Sequence, residues 1–74
     1  MTAEELCARV EAMPPGAVEV LTQAQFDRTF AREPTLDGRK RAALALGERC
    51  GCAVVFVGTE SMFVRFTRRQ DQAA

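Results

Sequence analysis

The chain has 74 residues, 47% of them hydrophobic and 27% charged, and its ten Lys and Arg balance ten Asp and Glu to a formal net charge of zero. This is the size and composition of one soluble domain over residues 1–74. No apolar run is long enough to cross a membrane, and Met1-Thr2-Ala3-Glu4-Glu5 is not a secretory leader. The absence of His excludes imidazole catalysis and His-containing metal sites, and so short a chain leaves little room for an enclosed active site.

The elements follow in chain order. Thr2-Ala3-Glu4-Glu5 fits the S/T-x-x-E capping box, and Leu6, Val10 and Met13 form one apolar stripe, with Cys7 beside it. This predicts a first helix over Thr2 to Met13, stopped by Pro14-Pro15-Gly16. Ala17 to Leu21 reads as a brief β-branched strand. Thr22-Gln23-Ala24-Gln25 is a second capping box, and Leu21 and Phe26 stand where a hydrophobic staple places them. The second helix therefore starts at Thr22 and ends before Pro34. Thr35 or Asp37 caps a third helix, whose stripe of Leu36, Ala43, Leu46, Gly47 and Cys50 ends at Gly51. Cys52 to Val57 and Met62 to Thr67 read as a hairpin around Gly58-Thr59-Glu60-Ser61, and 68–74 as a frayed tail. On the return strand Met62, Val64 and Phe66 face one side, and Phe63, Arg65 and Thr67 the other. Leu6, Val10, Phe26, Phe30, Leu46 and Val55 are the expected core.

Three cysteines, Cys7, Cys50 and Cys52, do not make a disulfide framework. Cys50-Gly51-Cys52 is too tight for an unstrained local bridge, and a structural zinc site wants four ligands. The three are expected to be small buried hydrophobes in a reducing cytoplasm, with no metal and no cofactor.

The order α-β-α-α-β-β, with the stretch Pro14 to Thr22 leading into the second helix, resembles the winged helix-turn-helix family over about Thr2 to Thr67. Two departures are the missing glycine in Glu33-Pro34-Thr35 and the short hairpin turn. The resemblance implies an α+β, winged-helix-like fold whose third helix is a recognition helix. It also implies that Arg65, Arg68 and Arg69 serve as wing contacts.

Charge is divided. Residues 1–37 carry seven acids and three bases, and residues 38–74 carry seven bases and three acids. Arg39-Lys40-Arg41 lies at the positive end of the third helix, where an anion would be favoured. These observations point to a small regulator that binds nucleic acid through Arg39, Lys40, Arg41, Arg65, Arg68 and Arg69. The competing description is a solvated face paired with its own carboxylates. A free-standing DNA-binding domain is usually far more basic than this chain's pI of about 6.2, so weak DNA affinity follows for a monomer unless a homodimer doubles the contacts. The alternative function is a protein-binding inhibitor or adaptor that docks through the basic face or the apolar hairpin, with Phe63 and Arg65 as anchors. A compact Ala- and Arg-rich chain opening on Met is similar in kind to small phage and mobile-element proteins, anti-CRISPR proteins among them. No Ser-His-Asp set, glycine-rich phosphate loop or paired carboxylate suggests an enzyme.

Overall fold

The computed structural model describes residues 1–58 and 61–69. Within them the chain runs α1 (Ala3–Glu11), β1 (Val18–Thr22), α2 (Gln23–Thr29), α3 (Leu36–Cys50), β2 (Cys52–Val57) and β3 (Phe63–Arg68). This is the expected α+β order. Thr59 and Glu60 of the expected turn, and 70–74 of the expected tail, lie outside the described residues.

Local chemistry starts each helix. The Thr2 amide donates to Glu5 Oε1 at 2.9 Å, and the Glu5 amide to Thr2 Oγ1 at 3.1 Å. Thr22 and Gln25 make the same reciprocal pair at 2.9 and 3.3 Å. At the third start Thr35, not Asp37, is the cap, and its hydroxyl accepts from the Gly38 amide at 3.0 Å. Gly51 ends α3 at φ 75°, the left-handed conformation that glycine adopts without a Cβ penalty. The first two helices are shorter than expected, because α1 is already capped at Ala12 and α2 at Phe30.

The three strands form one antiparallel sheet in the order β1-β3-β2, so the last strand lies in the middle. Leu21, Cys52, Val64 and Phe66 face inward and join Leu6 and Val10 of α1, Phe26 and Phe30, and Ala43, Leu46 and Cys50 of α3 in one core. The Phe26 ring lies 5.3 Å from Phe30 and meets Phe56 edge-on at 6.0 Å.

Three expectations are corrected. Val55 is outside the core, on the outer side of the sheet, because strand parity from the inward Cys52 puts Val54 and Phe56 against the helices. Arg68 is not frayed. It pairs with Cys52 at the end of β3, its amide donates to the Ala17 carbonyl at 2.8 Å, and its carbonyl accepts from Gly16 at 2.9 Å. The Arg69 amide continues this by donating to the Gly51 carbonyl at 3.0 Å. The third correction is that Cys7 and Cys50 are joined by a disulfide across α1 and α3, with Cα atoms 5.9 Å apart. Each lies on or beside the apolar stripe of its helix, and packing the two stripes brings the sulfurs together. Only Cys52 is a free, buried thiol among the described residues. A persistent disulfide belongs to an oxidising environment, so the cysteines give no support to a reducing compartment. Among the described residues no helix is long and apolar enough to cross a membrane.

Candidate interaction surface

All three helices contribute to the core on one side of the sheet, and the other side carries a regular array. The strand register aligns Val18, Thr67 and Ala53 in one row. Val20, Arg65 and Val55 form the next, and Thr22, Phe63 and Val57 the third. The large members Val18, Val20, Val55, Val57 and Phe63 are 40–48% exposed. Arg65 sits in the central row of the central strand and is itself exposed. No carboxylate of the described residues lies within ion-pair distance of it. At ordinary strand spacings this face covers roughly 300 Å², the size of patch that on a monomer is often functional.

Sequence reasoning reached Phe63 and Arg65 but missed the valines around them. In Val18-Glu19-Val20-Leu21-Thr22 the alternation suggests that the valines are buried. Two contacts reverse this. Leu21 enters the core with Phe26. Glu19 stands on the edge strand, where both carboxylate oxygens accept from Arg9 Nη2 of α1 at 3.2 Å. A charge that finds a partner at the rim lets the valines turn outward. The available signal was the staple, which fixes Leu21 as inward and so sets the parity of the whole strand.

The other expected basic contacts are dispersed. Arg39 is part-buried. Its Nε donates to the Glu33 carbonyl at 3.0 Å and its Nη1 reaches Asp27 Oδ1 at 3.4 Å, which stitches the α2–α3 connection. Lys40 holds its ammonium 5.4 Å above the Phe56 ring. Arg68 turns inward and its Nη1 donates to the Cys50 carbonyl, closing the end of α3. Arg41 and Arg69 are exposed. The six cations therefore do not form one ridge: three are engaged within the chain, and Arg65 belongs to the apolar face.

Two further features complete the geometry. A cleft of about 460 Å³ opens between the start of α1, the end of α2 and α3, lined by Phe30 and Leu46 and rimmed by Arg28, Arg32 and Arg49. Burial raises the Cys52 thiol above the ordinary range despite the charges of Arg68 and Arg69, which keeps it protonated and inert. Comparisons with protein-family models, curated proteins and solved structures gave no match.

Proposed function

We propose that the protein is a non-catalytic binding module whose working surface is the uncovered sheet face. Its partner is a protein that presents an apolar patch with a carboxylate near its centre. The observation that carries this reading is a single arginine in the middle of an otherwise uncharged, mostly apolar three-strand face. Aromatic residues and Arg dominate interface energetics, and an Arg ringed by apolar side chains gains most from a carboxylate once water is excluded. The same arginine disfavours self-association through this face, because a two-fold axis near its centre would bring two Arg65 side chains together. A face of this size is below the roughly 800 Å² per partner of a standard interface, so the contact is either transient or extends onto the rim.

A second reading keeps nucleic acid as the partner, with a winged-helix-like use of α3. Its support is the exposed Arg41 and Arg69 and the excess of bases after residue 38. It is the weaker reading, because Arg39, Lys40 and Arg68 would have to leave intramolecular contacts.

Selection of a displayed random-peptide library on the immobilised protein distinguishes the two. The expected peptides combine Asp or Glu with flanking apolar residues. Their binding, read by fluorescence anisotropy, should fall at least about tenfold with Phe63→Ser or Arg65→Glu and remain with Arg41→Ala. Peptides indifferent to Phe63 and Arg65 overturn the reading. So does salt-dependent binding of a labelled DNA duplex that Arg41→Ala weakens.

A further inference from the structure

Beside the disulfide, among the helices that cover the other face of the sheet from Phe63 and Arg65, stands a third donor. Cys7 and Glu11 are four residues apart on α1 and therefore share one face of that helix. Cys50 reaches the same point from the end of α3. The two sulfurs and a Glu11 carboxylate oxygen all lie within 4.8 Å of one another. Glu11 is exposed and Cys7 half-buried, so the cluster opens to water, while Cys50 anchors it in the core. Neither ion pair among the described residues uses Glu11.

The geometry points to a site for a thiophilic divalent cation of borderline softness, zinc in class, that exists only when the disulfide is reduced, with Cys7, Cys50 and Glu11 as ligands and water in the fourth position. Two thiolates and a carboxylate are ligands zinc accepts, at about 2.3 Å to sulfur and 2.0–2.2 Å to oxygen. Tetrahedral coordination at those lengths places the two sulfurs about 3.8 Å apart and sulfur and oxygen about 3.5 Å apart. Donors already gathered within 4.8 Å meet this by side-chain rotation, with the Cα atoms at 5.9 Å. The chemistry balances in two steps. A dithiol reductant gives two electrons and two protons to the Cys7–Cys50 bond and becomes a disulfide itself, leaving two thiols. The cation then takes both sulfurs as thiolates and displaces two protons to solvent. Bridge and metal thus compete for the same sulfur atoms, and either one ties α1 to α3. Cys52 takes no part, because its side chain is sealed in the core and is not among the gathered donors.

The test uses the full chain in two states, oxidised and reduced with a phosphine, titrated anaerobically with Zn²⁺ against a chromophoric chelator and with Co²⁺ as a spectroscopic probe. The reduced protein should bind one Zn²⁺, show the visible bands of tetrahedral Co²⁺ with thiolate charge transfer, and gain thermal stability on adding Zn²⁺. The oxidised protein should do none of these. Cys7→Ser and Cys50→Ser should each weaken binding by at least about tenfold, and Glu11→Gln should weaken it measurably. Cys52→Ala should bind as the parent does. Should the reduced chain lose its fold, Zn²⁺ should restore its far-ultraviolet circular dichroism. Absence of any Zn²⁺-dependent change in the reduced protein overturns the site. Equal binding by oxidised protein, retention in Cys7→Ser, or loss in Cys52→Ala overturns the assignment of its ligands.

Discussion

At Gly47, α3 packs tightly against β2. A Cβ at this position would lie 2.4 Å from Val54 Cγ2 and 3.0 Å from the Cys52 carbonyl oxygen. Alanine normally gains about 1 kcal/mol over glycine inside a helix. Here the strand backbone cannot give way, and overpacking costs about 1–3 kcal/mol. Gly47→Ala should therefore lower the urea midpoint, and an unchanged or raised midpoint would show that α3 and β2 can separate to admit the methyl group. Two further substitutions separate inside from outside. Phe26 is fully buried and touches two aromatic rings, so Phe26→Ala should cost about 3–5 kcal/mol, whereas Val55→Ala, on the open face, should stay within about 0.5 kcal/mol. Equal losses at the two positions would place Val55 back in the core. The Phe26–Phe30 pair was legible from helical spacing alone. Val55 was not, since a strand that is apolar at every position has no parity of its own and acquires one only from its neighbours.

At the scale of elements, the two capping boxes differ in one useful way. Thr2 with Glu5 can titrate, and Thr22 with Gln25 cannot. Hydrogen bonds from the Thr2 amide and then its hydroxyl hold the Glu5 carboxyl below the usual range. A carboxyl lowered in the folded state stabilises above its ordinary pKa near 4.3, and that contribution is lost as pH falls through the lowered value. Glu5→Gln turns the first box into a copy of the second. The thermal midpoint of this variant should drop less than the parent's between pH 6 and pH 2.5, and parallel curves would mean the carboxylate adds nothing at the helix start. Caps were readable because all their atoms lie within four residues. The partners of Arg39 and Arg68 were not, because each was fixed by an element distant in sequence: Asp27 on α2 for one, the end of α3 for the other. For the same reason a run of three basic residues on one helix dispersed into a connection stitch, a cation over a ring, and one exposed side chain.

For the molecule as a whole the bridge between Cys7 and Cys50 is the longest covalent constraint. It spans a sequence separation of 43 residues, and a closed loop of that length restricts the unfolded chain by about 4 kcal/mol in the chain-entropy description. That is a large share of the stability of a domain this small. A phosphine reductant, in metal-free buffer, should lower the urea midpoint sharply. Cys7→Ser should show the same lowered midpoint and no further response to reductant. A parent insensitive to reductant would mean the two sulfurs are not bonded in solution. Nothing in the cysteine spacing revealed this pairing, because it depends on which faces of α1 and α3 meet.

The place of β3 between β1 and β2 sets an order of events during synthesis. As the chain emerges, both outer strands are complete before their shared neighbour, and neither has another strand to bond to. Until residues 63–68 are released, Leu21 and Cys52 belong to segments that cannot close over a core, and the nascent protein exposes two unpaired edges. Assembly of the sheet is therefore a single late event rather than a gradual accretion. A premature stop anywhere before Phe63 removes the element on which both other strands depend, so the shortened product should be cleared as an unfolded chain rather than persist as a smaller domain.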